Sequence, residues 1–410
     1  MSVSVTKAPI VVIGAGQAGQ QICDSLRRGG YEDGLVMIGD EPCLPYQRPP
    51  LSKKFLTGTL DAERLYLRPA SYYEKQNVEL RLDVRVERIE RTTRSLYLSS
   101  GETLAYAGLA LATGTRVRPL DVPGAADAEI HYIRSLADGQ RLAARLAQVK
   151  RIAVIGGGFI GLEVAAIARE LGKDVVLIEA FDRLMARAVA PPVSAFYAEL
   201  HRAFGVEVLL STGVTAIRAS GAAYTVVSTG GEYTVDLVVV GIGVLPNSEV
   251  AEQAGLACRN GIVVDEYART SDPLIVAAGD CTWHMNGFLH RELRLESVQN
   301  AVDQAKSAAA SLLGQTSVYC QVPWFWSDQY DVKLQIAGIG MPHDDAVVRG
   351  EPATRAFSVF YFRAGVLVGV DALNRPAEHM AARRLLAQGT ALSATQAADS
   401  GCDLMALARA

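Results

Sequence analysis

The chain has 410 residues, 50% of them hydrophobic, and its 40 Lys and Arg residues nearly balance its 44 Asp and Glu residues, which leaves a formal net charge of −4. This composition excludes a disordered or collagen-like chain and is typical of a globular protein with two or three domains. Because nucleic-acid-binding surfaces normally require a basic domain or stripe, the acidic balance also argues against nucleic acid as a partner.

The cysteines and the apolar segments exclude further classes of protein. Six cysteines are scattered along the chain without a CxxC pair, so we expect neither a zinc site nor an iron–sulfur cluster, and no metal site is predicted. The sequence contains no stretch of the roughly 20 consecutive apolar residues that a membrane-spanning helix needs. A cytoplasmic protein that does not span a membrane is therefore expected.

The first predicted element belongs to a repeat. The segment PIVVIGAGQAGQQICDSLRRGG, which begins at Pro9, returns 142 positions later as RIAVIGGGFIGLEVAAIARELGK, which begins at Arg151. In each copy a short β-branched run predicts a buried parallel strand, a GxGxxG turn follows, and apolar residues at helical spacing predict a helix. Two copies of one nucleotide-binding unit are therefore expected.

Such a turn needs glycine at three points. One glycine takes the tight turn, one lets the backbone approach a pyrophosphate, and one lets helix and strand pack closely. The N-terminus of the helix then faces the anion. The two glycine sets are Gly14, Gly16 and Gly19 in the first copy and Gly156, Gly158 and Gly161 in the second.

An acidic residue follows each unit at the end of its second strand. Asp40 follows the first turn and Glu179 follows the second, and both are placed to accept ribose hydroxyls. Glu41, the neighbour of Asp40, leaves the first assignment open. Because Glu179 would repel a 2′-phosphate, NADH is favoured over NADPH, although Arg183 and Arg187 keep NADPH as an alternative.

Three more apolar runs predict buried strands that end in small residues. They are YAGLALATGTRVRPL from Tyr106 to Leu120, DLVVVGIGVLPN from Asp236 to Asn247, and PLIVAAGDC from Pro273 to Cys281. The first two form a second matched pair, each able to complete one nucleotide fold. In the third run, Asp280 is either a group that binds a ribityl hydroxyl or an ordinary turn residue.

The C-terminal part has a different pattern. A helix is predicted to begin near Glu296 and to stop at Gly314. Beyond it, FSVFYF and VLVGVDAL alternate as strands do, and AEHMAARRLLAQG predicts a helix that ends at Gly389. The chain is therefore expected to finish in an α+β segment.

These motifs together resemble a known family. GAGQAG, ATGTR and AAGDC around an inserted GGGFIG unit resemble the flavoprotein reductases with two dinucleotide-binding domains. GDEPCLPYQRPPLSK, RLESVQNAVDQAK and VPWFWSDQYDVKLQIAG narrow the resemblance to FAD-dependent ferredoxin reductases of bacterial oxygenase systems, the group that includes rhodocoxin reductase and putidaredoxin reductase.

The resemblance implies an α/β fold with two Rossmann-like dinucleotide-binding domains, one for FAD and one for NAD, and a C-terminal α+β domain. The implied FAD-binding domain is discontinuous, covering residues 1–114 and 248–321. The NADH-binding domain is inserted at 115–247, and the C-terminal domain covers 322–410.

The resemblance also implies the residues that contact the cofactors. The implied FAD contacts are Gly14, Ala15, Gly16, Gly19, Asp40, Lys53, Val86, Thr113, Gly114, Arg134, Gly279, Asp280, Glu296, Ser297, Val298 and Trp326. The implied NADH contacts are Gly156, Gly158, Ile160, Gly161, Glu179 and Gly243.

Three residues are implied to be catalytic. Lys53 is expected near the N5 edge of the flavin, Glu163 is its expected ion-pair partner, and Trp326 is expected in the flavin and nicotinamide pocket. A cation beside N5 would favour the arrival of electron density there as hydride. The helix that begins at Val298 is expected to direct its positive end toward the N1 and O2 positions of the flavin.

The reaction implied by the resemblance runs in two stages. A hydride passes from NADH to FAD, and single electrons then pass to a 2Fe-2S ferredoxin, which supplies a haem monooxygenase or a ring-hydroxylating dioxygenase. We expect a monomer or weak dimer, without nucleic acid or membrane as partners. Some of the residues Arg291, Arg294 and Lys333 are hypothesised to form a basic docking patch for the ferredoxin.

Two other functions stay open from the sequence. An NADH oxidase or peroxidase would use a cysteine at the flavin, and Cys43 lies in the corresponding region, although Leu44 follows it where glycine is usual. A non-catalytic flavoprotein resembling apoptosis-inducing factor is the other alternative.

Overall fold

The computed structural model describes residues 8–409, so the first seven residues of the predicted FAD-binding domain and the last residue of the C-terminal domain lie outside it. The chain divides into two compact units. The first unit contains the chain up to Gln47, Glu63–Arg116 and Leu245–Gln321. The second contains Arg48–Ala62, Val117–Val244 and the chain from Val322 onward.

A parallel sheet forms the centre of the first unit. Its strands, in spatial order, are Ile275–Ala277, Gly108–Leu111, Ile10–Ile13, Leu35–Ile38 and Val78–Arg81. All four residues of Ile10–Ile13 and of Leu35–Ile38 are buried, which is the pattern of a parallel sheet covered on both faces. The predicted strands in the first repeat and in PLIVAAGDC are thereby confirmed.

A second parallel sheet forms the centre of the inserted segment. Its strands, in spatial order, are Val206–Leu209, Asp174–Ile178, Arg151–Ile155, Leu237–Val240 and Ile130–His131. In both sheets the strand that precedes the glycine turn lies between the next strand of the repeat and a returning apolar strand. The two sequence repeats therefore fold alike, as the matched motifs predict.

Smaller sheets accompany the two parallel ones. The first unit adds the antiparallel strands Val86–Glu90, Ser95–Leu98 and Thr103–Ala105, and the mixed strands Cys258–Arg259, Gly261–Val264, Thr282–Asn286 and Arg291–Leu293. The second unit adds the antiparallel strands Val214–Ser220, Ala223–Ser228 and Gly231–Val235. Two of the places where the chain passes between the units lie in the short strands Thr115–Val117 and Val244–Pro246.

The C-terminal segment is built on an antiparallel sheet. Its strands, in spatial order, are Trp324–Gln329, Val332–Gly338, Val366–Leu373, Ala356–Arg363 and Asp345–Glu351. The helix Pro376–Gln388 follows and ends at Gly389, whose φ of 65° is the left-handed conformation that favours glycine at a helix end. The α+β prediction for this segment is confirmed.

Helices cover the sheets. The α-helices are Gln17–Arg28, Ala70–Lys75, Leu136–Leu146, Phe159–Glu170, Pro191–Ala203, Glu249–Gln253, Val298–Leu312, Pro376–Gln388, Ala394–Ala398 and Leu404–Leu407. Short 3₁₀ helices lie at Pro49–Ser52, Ala62–Leu65 and Pro352–Thr354. Among residues 8–409, none of these helices has the length and apolar character needed to cross a membrane.

One hydrophobic core of the second unit joins three parts of the chain. It contains Leu56 from the segment 48–62, Leu177 from the parallel sheet and Phe357 from the C-terminal sheet, all of them buried. Burial of large apolar side chains of this kind contributes about 1.5–3 kcal/mol each. The shared core holds the segment that carries Lys53 against the helix and strand that carry Glu163 and Trp326.

Candidate functional site

The two glycine turns have the same backbone geometry. Gly14 and Gly156 have φ values of 115° and 106°, a region that side chains rarely tolerate. A Cβ on Gly14 would lie 2.1 Å from the Ala112 carbonyl oxygen, and one on Gly156 would lie 2.5 Å from the Gly241 carbonyl oxygen. Each first glycine therefore makes a turn that packs against the returning strand of its own sheet.

The other glycines of each turn serve packing and access. A Cβ on Gly19 would lie 1.9 Å from the Gly14 carbonyl oxygen, and one on Gly161 would lie 2.0 Å from the Gly156 carbonyl oxygen. A Cβ on Gly16, by contrast, would meet no heavy atom of the described chain within 4 Å. The open side of this turn, at the start of the helix Gln17–Arg28, leaves room for a phosphate group.

The acidic residue of the second turn is held firmly. Glu179 is buried; its Oε2 accepts a 2.6 Å hydrogen bond from the Gly157 backbone N–H, and its Oε1 accepts a 2.8 Å bond from the Phe181 N–H. Arg183 donates to the Val189 and Ala186 carbonyl oxygens and to Ser194. The Arg183 guanidinium therefore stabilises the loop after Glu179. Because its N–H groups are used in these hydrogen bonds, Arg183 is not favoured as a ligand of a 2′-phosphate.

Asp40, the acidic residue that follows the first turn, is more exposed to solvent than Glu179. The Asp40 side chain is 63% exposed, with Arg85 Nη2 at 3.7 Å. The neighbouring Glu41 accepts a 2.6 Å hydrogen bond from the Tyr46 hydroxyl. The Asp40 carboxylate is therefore accessible from solvent, and its role as a ribose ligand stays a prediction.

Several of the predicted FAD contacts of the first unit lie at the carboxyl ends of its parallel strands. Ala15 lies against Gly39, and Gly14 lies against the backbone of Thr113. The Thr113 hydroxyl donates to the Asn247 carbonyl oxygen at 2.6 Å, and Asn247 Nδ2 donates to the Thr113 carbonyl oxygen at 2.9 Å. This edge is where nucleotides bind in open parallel sheets.

Other predicted FAD contacts of the first unit lie in loops or at the start of a strand. Gly279, whose φ is 88°, packs against Ala18 of the first glycine helix. Val86 is buried at the start of its strand, and Gly114 takes a positive φ of 62° after Thr113. Asp280 follows Gly279 and is partly exposed.

The helix Val298–Leu312 begins as the sequence predicts. The Ser297 hydroxyl caps it by accepting a 3.0 Å hydrogen bond from the Asn300 backbone N–H, a contact worth about 1 kcal/mol. Arg294 is only 10% exposed and lies 2.6 Å from Glu296. Arg294 is therefore covered and paired, so it does not fit an exposed docking patch, while Arg291 and Lys333 stay predictions for that patch.

The second unit brings Lys53 and Glu163 together. Lys53 Nζ lies 3.0 Å from Glu163 Oε1, and both side chains are largely buried. Glu163 also accepts hydrogen bonds from two hydroxyls, Ser52 at 2.5 Å and Ser327 at 2.7 Å. Asp328 Oδ2 lies 3.9 Å from Lys53 Nζ. The result is a buried carboxylate surrounded by donors.

The charge of Glu163 depends on these donors. Burial raises the pKa of Glu163, while the Lys53 ammonium and the Ser52 and Ser327 hydroxyls oppose that shift. A buried ion pair is favourable only when its remaining lone pairs are also satisfied. Here both carboxylate oxygens have hydroxyl donors, so the arrangement can hold a largely buried lysine cation.

Two tryptophans border this pair. Trp324 and Trp326 lie on one face of their strand with ring centroids 5.5 Å apart, as their alternation predicts. Lys53 Nζ lies 5.9 Å from the Trp326 ring centroid, within the range of a cation–π contact. Arg383 lies 4.9 Å from the Trp324 ring centroid. The indoles thus form an aromatic surface beside the buried cation.

The remaining predicted residues are placed in the second unit. The Arg134 carbonyl oxygen accepts a 2.5 Å hydrogen bond from Arg48. Ile160 is 42% exposed in the first turn of its helix, and Gly243 has a φ of 101° beyond the returning strand.

Ser52 and Ser327 were missed by sequence reasoning. Their signal is adjacency, since each serine is a direct neighbour of a predicted site residue.

Metal binding finds no support in the described part of the chain. Within residues 8–409, no group of three His, Cys, Asp or Glu side chains has the arrangement of a metal site.

The comparisons with known proteins agree with this geometry. Residues 8–305 match the pyridine nucleotide-disulphide oxidoreductase family, and residues 324–408 match the reductase C-terminal family. Rhodocoxin reductase of Rhodococcus erythropolis is 47% identical over 403 residues, covering 98% of this chain and 94% of that protein.

Two solved structures are similar over nearly their whole length. The ferredoxin reductase for the CYP199A2 system of Rhodopseudomonas palustris has a TM-score of 0.95 and 42% identity, covering 98% of this chain and 100% of that one. The covalent complex of putidaredoxin reductase and putidaredoxin has a TM-score of 0.94 and 38% identity, covering 98% of each chain.

The fold and its two glycine turns define a flavoprotein reductase with two dinucleotide-binding folds. The chain belongs to the pyridine nucleotide-disulphide oxidoreductase family, and within it to the FAD- and NADH-dependent ferredoxin reductases. The predicted family, fold class, enzyme class and cofactors are thereby confirmed. The roles of individual site residues stay predictions.

Proposed function

We propose that this chain is the reductase component of a bacterial oxygenase system, which takes electrons from NADH and delivers them to a 2Fe-2S ferredoxin. The observation that supports this proposal most strongly is the buried Lys53–Glu163 pair with its serine donors beside Trp326. FAD, when bound, accepts two electrons as hydride and releases them one at a time.

We assign the first glycine turn and Asp40 to the pyrophosphate and ribose of FAD. The supporting observations are the positive φ of Gly14, the open space at Gly16 and the accessible Asp40 carboxylate. Thr113, whose position is fixed by Asn247, is assigned to the same cofactor. The remaining FAD contacts proposed are Ala15, Gly19, Val86, Gly114, Arg134, Gly279, Asp280, Glu296, Ser297 and Val298.

We assign the second glycine turn to NADH. Its supporting geometry matches that of the first turn, and the Glu179 carboxylate is fixed beside Gly157. A carboxylate at this position accepts ribose hydroxyls and repels a 2′-phosphate. Gly156, Gly158, Ile160, Gly161, Glu179 and Gly243 are the proposed contacts.

Lys53 supplies positive charge to the reacting edge of the flavin in this proposal. Its ammonium is held by Glu163 and lies beside Trp326. A fixed cation in a dry site stabilises developing negative charge more than the same cation would in water. Trp326 contributes by excluding water from that side.

The partner is proposed to be an acidic 2Fe-2S ferredoxin, which passes electrons to a haem monooxygenase or a ring-hydroxylating dioxygenase. The similar putidaredoxin reductase was solved in a covalent complex with putidaredoxin. We further propose a cytoplasmic location, which suits the supply of NADH and the six cysteines that form no disulfide in residues 8–409, and a monomer or weak dimer.

The test is NADH-dependent reduction of purified 2Fe-2S ferredoxins by this protein without oxygen, followed by the visible absorbance of the ferredoxin. Ferricyanide serves as the control acceptor. The proposal expects at least one ferredoxin to be reduced at a rate comparable to ferricyanide. Rapid ferricyanide reduction with no transfer to any 2Fe-2S ferredoxin from an oxygenase system would contradict it.

A further inference from the structure

A line of buried hydrogen bonds continues from Glu163 into the interior of the second unit. Ser327 Oγ donates to Glu163 Oε1 at 2.7 Å, and Gln329 Nε2 donates to Ser327 Oγ at 3.2 Å. His201 Nε2 and Gln329 Oε1 are 2.9 Å apart. Tyr330 completes the line with its hydroxyl 3.3 Å from His201 Nδ1.

Every donor in this line points toward Glu163. Burial lowers the pKa of His201 to about 4, so its ring is neutral at physiological pH and carries one N–H. Gln329 Oε1 can only accept, so the proton lies on His201 Nε2, and Nδ1 then accepts from Tyr330. The Gln329 amide consequently directs its N–H toward Ser327, whose own proton is left for Glu163.

The line is shielded from water between Glu163 and His201. Ser327 and His201 are fully buried, and Gln329 is 1% exposed. The His201 ring is also fixed by the Tyr330 ring, at a centroid distance of 5.2 Å, and Tyr330 in turn stacks on Phe204 at 3.9 Å. In such low-dielectric surroundings, consecutive hydrogen bonds polarise one another and act as a unit.

We propose that Gln329 and His201 are positioning residues for flavin reduction, because they orient the Ser327 hydroxyl onto Glu163 and thereby keep the Lys53–Glu163 pair charged. This inference rests on the proposed function, which places Lys53 beside the flavin. Neither residue needs to touch a cofactor or a substrate. Their effect reaches the reaction through the direction of a single hydroxyl proton.

Loss of the Gln329 donor has a defined consequence. In Gln329→Glu the side chain keeps its size and its acceptor for His201, but an ionised carboxylate cannot donate to Ser327 and competes for its proton. Glu163 then loses one of its two hydroxyl donors. The carboxylate becomes a poorer partner for Lys53, and the ammonium is less firmly fixed.

The experiment measures anaerobic single-turnover reduction of the flavin by NADH in the FAD-loaded protein. Gln329→Glu, Gln329→Leu and His201→Ala should each slow this step by about tenfold, the scale of one weakened hydrogen bond to a charged group. His131→Ala is the matched control, since His131 is also a buried histidine of the second unit but bonds to Glu129, and it should leave the rate unchanged. FAD content and melting temperature are recorded for every variant.

A double-variant cycle separates positioning from loss of structure. In a Lys53→Met background the Gln329 substitutions should change the rate by less than about twofold, because their effect passes through Lys53. Equal slowing in both backgrounds would overturn the inference. If Lys53→Met slows reduction while the Gln329 and His201 variants do not, the positioning role of Gln329 and His201 fails and the proposed role of Lys53 stands. If Lys53→Met itself has no effect, the proposed role of Lys53 fails as well.

Discussion

Replacing Lys53 by Met should destabilise the protein in a pH-dependent way. The substitution removes the ammonium 3.0 Å from Glu163 and leaves a carboxylate that is almost wholly buried. At that distance the attraction is about 5 kcal/mol for an effective dielectric constant of roughly 20, and breaking a buried pair from one side costs about 3–5 kcal/mol. The Ser52 and Ser327 donors remain, which places the expected loss at the lower end, about 3 kcal/mol.

The sign of the pH dependence follows from the direction of the Glu163 shift. Burial already raises the pKa of Glu163, and loss of Lys53 raises it further. The folded state then binds more protons than the unfolded state above the unfolded pKa of about 4.3, so stability falls as pH rises through that window. Lys53→Met should therefore be nearly as stable as the parent at pH 5 and clearly weaker at pH 8.

The assay is urea unfolding followed by tryptophan fluorescence at the two pH values. Lys53→Met/Glu163→Gln is the matched control, because it removes the buried charge together with its partner and should recover most of the loss at pH 8. An equal loss at both pH values, or no recovery in the double variant, would show that Glu163 does not carry a buried charge held by Lys53.

Three further outcomes are expected. Gly161→Ala should abolish NADH binding while FAD stays bound, because its Cβ would lie 2.0 Å from the Gly156 carbonyl oxygen; equilibrium dialysis with NADH and the flavin spectrum measure the two separately. Burial raises the pKa of Asp371 to about 7, so stability should fall between about pH 4 and pH 7 as this carboxyl is forced to ionise in the folded state, and Asp371→Asn should flatten that part of the unfolding profile. Cys43→Ser should leave ferredoxin reduction intact, and loss of turnover with oxygen as acceptor would instead revive the oxidase alternative.

Local signals account for the parts of the fold that the sequence predicts. A glycine turn requires a particular φ at Gly14 and a close approach at Gly19, and both requirements act within a few residues. The end of the last long helix at Gly389 is equally local. Such features are readable because neighbouring residues in sequence determine them.

Contacts between distant segments account for what sequence reasoning missed. Ser327 meets Glu163 from 164 positions away, and His201 meets Gln329 across 128 positions. No periodicity connects such residues, since their meeting depends on how a C-terminal strand packs on a helix of the parallel-sheet domain. The burial of Arg294 was unreadable for a related reason, because an arginine can be exposed or can form a buried ion pair, and only its surroundings decide.

An anaerobic NADH titration of the purified, FAD-loaded protein tests the central assignment most directly. We expect a yellow protein whose flavin absorbance is bleached by about one equivalent of NADH, since one hydride carries both electrons that the flavin accepts. A preparation that cannot be loaded with FAD, or whose flavin stays oxidised in excess NADH, would contradict the assignment of the two glycine turns to these two cofactors.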